Sequence, residues 1–205
     1  MTAPAAGRVP AAADVDELFR RREEPAAELA AQAGLVAAAC RDMAGRFRRG
    51  GKLITFGTGG ASTDAQHVAV EFVHPVIVGK PALPAISLTT DVATVTGIAA
   101  REGMAAVFAR QLRSLARPED IALGIAGGDC PSVLAGLAAA RDLGLLTIAL
   151  AGAGGGALAG SAIVDHLLVT SATDERIVKE MHVTTYHVLW ELVHVFLEQP
   201  QEVIA

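Results

Sequence analysis

DIALGIAGGDCPSVLAGLAAARDLGLLTIALAG, residues 120–152, decides the architecture of this 205-residue chain. Two apolar runs, DIALGIA (120–126) and LLTIALAG (145–152), flank a helical stretch at 131–143. Strands that are apolar on both faces and alternate with helices belong to a parallel sheet covered on both sides. Right-handed crossovers then follow almost by default. Working outward, the same kind of run recurs at LITFG (53–57), PAISL (84–88) and DHLLVTS (165–171). Helical stretches lie at about 62–74, 91–116 with a break, and 174–198. The reading is an α/β fold: a five-stranded parallel sheet sandwiched between helices, with a helical N-terminal arm and a long C-terminal helix.

Residues 1–13 are rich in Ala, Pro and Gly and are expected to be flexible. A helical arm over 14–50 begins at Asp14, with Asp16 and Glu17 favourable in its first turn. Pro25 suits the first turn of a second helix that runs to about Arg49, where Gly50-Gly51 stops it. Neither a repeat nor a linker divides the chain, and residues 1–205 read as one domain.

Composition excludes several classes of function. A hydrophobic fraction of 52% is that of a globular chain. A net charge of −5 argues against nucleic acid as the main partner, because phosphate neutralisation needs a basic face. The arginines at Arg20–Arg22 and Arg46–Arg49 read as decoration of solvated helix faces. Cys40 and Cys130 are too few for a disulfide framework, and no signal-peptide pattern opens the chain, so the expected location is the cytoplasm. No apolar run reaches the length of a membrane span.

Ligands of such sheets bind at the carboxyl ends of the strands, which selects the loops 57–63, 126–132 and 151–160. In the first, Gly57-Thr58-Gly59-Gly60 leaves a strand and opens a helix. Its N–H groups can cradle an anion, with hydroxyls from Thr58, Ser62 and Thr63; the plainer reading is a tight turn that needs glycine. The third loop, AGAGGGALAG, has a G-x-G-x-x-A spacing from Gly152 to Ala157. A dinucleotide fingerprint, however, belongs on the first strand–helix unit with an acid ending the next strand, and DHLLVTS ends without one. Cys130, near a helix N-terminus, reads either as a nucleophile or as a small loop filler, and the filler is the simpler reading.

His67, Glu71 and His74 fall at i, i+4 and i+7, on one helical face. His187, Glu191 and His194 repeat the pattern on the last helix. Both contain the Glu-x-x-His spacing of di-iron bundles, but those need four helices around one core. The narrower reading keeps His67 and Glu71 beside the anion loop, with His187 approaching on the long helix. Such a group moves a proton between neighbouring carbons or binds a divalent metal.

At these residues the sequence resembles the SIS (sugar isomerase) domain family and, within it, the phosphoheptose isomerases. The family's first loop reads roughly C-G-N-G-G-S-x-x-x-A-x-H-x-x-x-E, against FGTGGASTDAQHVAVE here (56–71). PAISLTTDVATVTGIA, GLAAARDLGLLTIALAG and RIVKEMHVTTYHVLWELVH are also similar, so the resemblance runs from about Asp14 to Glu198. It implies an aldose–ketose isomerase acting on a sedoheptulose 7-phosphate-type sugar through an enediol, as a homotetramer with shared sites. It implies Glu71 and His187 as the catalytic pair; the substrate-binding candidates in this sequence are Thr58, Gly59, Gly60, Ser62, Asp91, Arg101 and Lys179. No cofactor is required; in members that bind zinc, its ligands map onto His67, Glu71 and His187 plus a glutamine.

The sequence departs from the family in places that matter. The glutamine position is Lys179, and an Asn-Asp pair becomes Ala100-Arg101. The serine-rich phosphate loop S-T-S-G-N-S becomes Ala126-Gly127-Gly128-Asp129-Cys130-Pro131, in which Asp129 is placed to cap the next helix. Each lost charged hydrogen bond is worth roughly 1.5–3 kcal/mol, so either the phosphate binds elsewhere, at Arg101 or Lys179, or the substrate is not the usual phosphosugar. Retained Glu71 and His187 favour the enzyme. The altered loop keeps a second reading open, a non-catalytic sugar-phosphate sensor or partner-binding protein on the same scaffold.

Overall fold

In the computed structural model, which describes residues 11–199, five strands pair in parallel. They are β1 (Leu53–Gly57), β2 (Ala85–Ser87), β3 (Ile121–Ala126), β4 (Leu146–Ala151) and β5 (His166–Val169), in the spatial order β2-β1-β3-β4-β5. Each falls within a run read from the sequence. The helices are α1 (Ala12–Arg20), α2 (Glu23–Ala31), α3 (Ala33–Arg48), α4 (Gly60–Val73), α5 (Val92–Glu102), α6 (Val107–Leu115), α7 (Pro131–Asp142) and α8 (Glu175–Glu198). This is the expected five-stranded α/β sandwich.

Side-chain size along the strands explains which helices lie where. In β3 and β4, Ile121, Leu123, Ile125, Leu146, Ile148 and Leu150 point to one face, where they pack with α3, α4 and α8. The alternate positions, Ala122, Ala126, Ala149 and Ala151, face the core built by α6 and α7. Small residues let α7 approach closely. A Cβ on Gly124 of β3 would stand 2.8 Å from Val133 Cγ1, and one on Gly136 of α7 would stand 2.8 Å from Phe56 Cε2. Such contacts leave no room for a methyl group in a close-packed core.

The arm differs from its reading. Helix α1 starts at Ala12, inside the stretch expected to be flexible; residues 1–10 of that stretch lie outside the described residues. The helix expected from Pro25 to Arg49 is broken at Gln32. There the Gln32 carboxamide donates to Val169 O at 2.6 Å and accepts from Val169 N at 3.1 Å. The break thus lets one side chain satisfy both main-chain groups of an edge-strand residue, as an added strand would. The arginine clusters also do more than solvate helix faces. Arg21 pairs with Asp174 and Arg22 with Glu180, tying the arm to the start of α8. Arg46 donates to the carbonyls of Pro118 and Gly144.

The break expected within 91–116 is at Gly103, whose φ of +87° ends α5. The glycine-rich 151–160 segment makes a 3-10 stretch, Ala153–Leu158, with left-handed Gly154, Gly155 and Gly156. No α-helix lies between β4 and β5, so its G-x-G-x-x-A spacing lacks the helix N-terminus that a dinucleotide pyrophosphate needs.

Two glycines separate packing from helix propensity. Nothing lies within 4 Å of a Cβ built on Gly34 of α3, whereas one on Gly136 meets Phe56 and Phe108, both buried. Gly34→Ala should therefore raise stability by about 0.5–1 kcal/mol. In Gly136→Ala the same gain is outweighed by overpacking of about 1–3 kcal/mol. Urea denaturation should move the midpoints in opposite directions; a Gly136→Ala midpoint at or above the parent's would show that the rings yield.

Candidate active site

From β1 the chain passes through α4 to β2 on one side, while β3 pairs on the other. A crevice therefore opens between the carboxyl ends of β1 and β3. It holds a cleft of about 690 Å³, lined among others by Thr58, Gly60, Gly127, Asp129, Lys179 and His182. Gly59, at φ +58°, makes the turn into α4. The hydroxyls expected to face a ligand are turned back on the chain. Ser62 Oγ donates to Gly59 O and Thr63 Oγ1 to Gly60 O, each at 2.7 Å. Thr58 Oγ1 instead lies 3.1 Å from Cys130 Sγ, bridging the two loops.

Lys179 reaches across from α8. Its Nζ donates to Asp64 Oδ1, to Thr63 Oγ1 at 3.0 Å and to Gly60 O at 3.2 Å. Asp64 is buried, and an unpaired carboxylate there would be strongly destabilising. The ammonium is thus held at the first turn of α4, on the wall of the cleft.

The second loop corrects one expectation. Asp129 does not cap α7: Cys130 is the N-cap residue, and Asp129 Oδ1 accepts from Ala157 N at 3.0 Å. The left-handed Gly156, φ +48°, makes this possible, because a Cβ there would stand 2.3 Å from that same oxygen. Asp129 therefore ties the second loop to the third. Burial pushes the Cys130 thiol up, but the Ser132 and Thr58 hydroxyls and the N–H groups of Val133 and Ser132 outweigh it, leaving the thiol below its ordinary value. Burial also lowers His182, against opposing effects of the Ala151 carbonyl and Asp64. It is a neutral imidazole on the cleft wall.

The proton-handling group sits farther along the α4–α8 seam. His67 and Glu71, one turn apart on α4, meet Tyr186, His187 and Trp190 of α8. Ligand atoms of His67, Glu71 and His187 all lie within 4.8 Å of one another. His67 Nε2 is 3.1 Å from Glu71 Oε1, and its Nδ1 is 2.7 Å from the Tyr186 hydroxyl. The rings stand edge to face, His67–His187 at 5.2 Å and Tyr186–His187 at 4.9 Å between centroids. Burial raises the Tyr186 phenol, and the Asp64 and Glu71 carboxylates act in the same direction.

Glu71 owes its position to an absent donor. Its carbonyl would bond the N–H four residues on, but that residue is Pro75, which has none. Trp190 Nε1 donates to this carbonyl instead, at 2.8 Å. A half-buried carboxylate and an exposed imidazole then face each other, the pairing that general base and general acid chemistry on adjacent atoms requires.

The same three residues are those that the resemblance implies for zinc, and their ligand atoms lie close enough together to hold a divalent ion. The resemblance's fourth position, Lys179, has an ammonium with no lone pair and is bound at Asp64, Thr63 and Gly60 instead.

Not every residue singled out in the sequence joins this site. Asp91 caps α5, accepting from Thr94 N at 3.0 Å and Thr94 Oγ1 at 2.7 Å. Arg101 ends the same helix, and both line a separate groove of about 600 Å³ beside α5 and α6. His74 leaves the α4 face as its C-cap and is exposed. Glu191 is exposed too, while His194 is buried between the carbonyls of Trp190 and Pro81. Sequence reasoning missed Asp64, His182, Tyr186 and Trp190. Only Glu71-x-x-x-Pro75 carried a signal, since it leaves a helical carbonyl without its donor.

Comparison with known proteins agrees with this geometry. The SIS domain family matches residues 18–152. A phosphoheptose isomerase of Desulfovibrio desulfuricans is 41% identical over 170 residues, covering 82% of this chain and 80% of that protein. One from Roseiflexus sp. is 40% identical over 184 residues, with 87% and 90% covered. The solved structure of a phosphoheptose isomerase from Francisella tularensis superposes with a TM-score of 0.80 at 28% identity, over 90% of this chain and 98% of that one. These relatives carry the name of an enzyme, which favours the enzyme reading over the binding-protein one. The chain belongs to the SIS domain family and, within it, to the phosphoheptose isomerases.

Proposed function

We propose that this protein, acting as one SIS domain over its whole length, interconverts a ketoheptose phosphate of the sedoheptulose 7-phosphate class and the matching aldoheptose phosphate. The observation that carries the reading is the convergence of the Glu71 carboxylate and the His187 imidazole, within 4.8 Å, on the seam that leads from the cleft. In the forward direction Glu71 takes the proton from C1 while His187 gives one to the C2 carbonyl oxygen, forming the enediol. His187 then takes the O1 proton as the C1 carbonyl forms, and Glu71 returns its proton to C2. Both groups end as they began. His67 positions Glu71, and the chain's own residues carry the reaction without a resident metal.

The phosphate end of the substrate belongs in the cleft. Lys179 and Arg176 line it together with Thr58, Gly59 and Gly60 at the start of α4. This set replaces the hydroxyl-rich grip that the 126–131 loop has lost. Asp91 and Arg101 contribute, in this reading, to the site of a neighbouring subunit.

The assembly is a homotetramer of the cytoplasm. Supporting it, α8 exposes His187 together with Val188 and Val195, and α4, which packs on α8, exposes Val70 and Val73. Exposed apolar side chains on two adjoining helices are what an interface covers, and a neighbouring copy laid over them would close the site around His187. No helix among the described residues is long and apolar enough to cross a membrane.

Glu71→Gln and His187→Ala should each lower turnover by roughly 10²–10⁴-fold, the usual range for one acid or base, with assembly unchanged. Isomerisation of sedoheptulose 7-phosphate, read with solvent deuterium entering C1 or C2, checks this; exchange that survives Glu71→Gln removes Glu71 as the base. Light scattering should give four chains per particle, and a clean monomer would dismiss the shared site. Dialysis against EDTA should leave turnover within about two-fold of the untreated enzyme, because general acid–base catalysis here needs no Lewis acid. A loss restored by added zinc would reverse the metal-free assignment.

A further inference from the structure

Tyr186 has no part in the chemistry above, yet its hydroxyl is the nearest polar partner of His67. The side chain is 1% exposed and stands edge to face against both imidazoles, with centroids 5.3 Å from His67 and 4.9 Å from His187. Its hydroxyl is 2.7 Å from His67 Nδ1, and His67 Nε2 is 3.1 Å from Glu71 Oε1.

With a neutral imidazole at His67, counting donors assigns every proton in this row. A carboxylate only accepts, so the bond to Glu71 requires the proton on His67 Nε2. A neutral imidazole protonated at Nε2 has a bare Nδ1, which accepts. The one group facing Nδ1 is the Tyr186 hydroxyl, which therefore donates. Reversing the row would leave Nε2 and a carboxylate oxygen as two acceptors in contact.

We propose that Tyr186 is a positioning residue that sets the tautomer of His67, so that Tyr186 O–H donates to His67 Nδ1 and His67 Nε2–H donates to Glu71. The consequence is a carboxylate held by side chain and main chain at once. His67 fixes one oxygen of Glu71, and Trp190 fixes its carbonyl, leaving the other carboxylate oxygen to take the substrate proton. The role rests on the reading of Glu71 as the base, but the tautomer does not.

The test is a long-range proton–nitrogen correlation spectrum of the full-length protein labelled with nitrogen-15 histidine, with His67→Gln assigning the signal. The expected result is a His67 ring protonated at Nε2 and hydrogen-bonded at Nδ1, and a mixture of tautomers in Tyr186→Phe, which keeps the ring packing. A proton on Nδ1 in the parent protein, or an unchanged spectrum in Tyr186→Phe, overturns the proposal whether or not the protein turns over. In kinetics, Tyr186→Phe should lower kcat by roughly ten- to a hundred-fold, the usual loss from misplacing a reacting group, with KM changed less than about two-fold. His67→Gln, whose amide can still donate to Glu71, should keep more of kcat than His67→Leu. Equal losses in those two variants, or a full kcat in Tyr186→Phe, would reduce the row to packing.

Discussion

The site depends on one hydrogen bond, from the Trp190 indole N–H to the carbonyl of Glu71. Pro75 ends α4 and deprives that carbonyl of its helical donor, and a buried carbonyl without a partner is costly. An indole supplied from α8 answers the need and fixes the level at which the two helices meet. Once Trp190 is opposite Glu71, Tyr186 and His187 fall one turn earlier, against His67. The helix ending and the placing of the base are the same event.

A second pairing holds the other end of the seam. Asp64 is buried one turn before His67, and Lys179 crosses from α8 to neutralise it. The two contacts lie about two turns apart on α4 and about three on α8, so they keep α4 and α8 in register along the length between cleft and acid–base pair. Lys179 consequently serves the fold as well as the charge of the cleft. The loops have been rebuilt around this frame: Thr58 reaches Cys130, and Asp129 reaches Ala157. The turn of β1 into α4 survives because it rests on backbone geometry at Gly59, not on the side chains that a substrate meets.

The opposite face of the sheet obeys a packing constraint instead. Alanine and glycine in β3 and β4 bring α7 against the strands, and the bulk lost there is restored by Phe56 and Phe108. Bulky strand residues make up the first face, on which α3, α4 and α8 pack. The site therefore lies on the side of the sheet that carries the large residues.

The sequence by itself determined the sheet, the order of its elements and the carboxyl-end loops, because apolar runs of strand length alternating with helical stretches admit few other folds. Spacing put His67 and Glu71 on one helical face and singled out His187 on the last helix, and resemblance gave Glu71 and His187 their roles; the structure brings all three together. Tertiary structure alone decided the rest. Asp129 reads as a helix cap, since its reach to Ala157 depends on left-handed glycines a whole strand away in sequence. Gln32 reads as mid-helix, since nothing local reveals that β5 has an unpaired edge. Asp91 and Arg101 lie outside the cleft because helix α5 docks beside α6 rather than over it. Tyr186 and Trp190 read as core residues, and in burial they are; only the meeting of two helices distant in sequence shows what their polar atoms touch. Periodicity reports which face of an element is buried, but a hydrogen bond between elements depends on their register, and packing sets that.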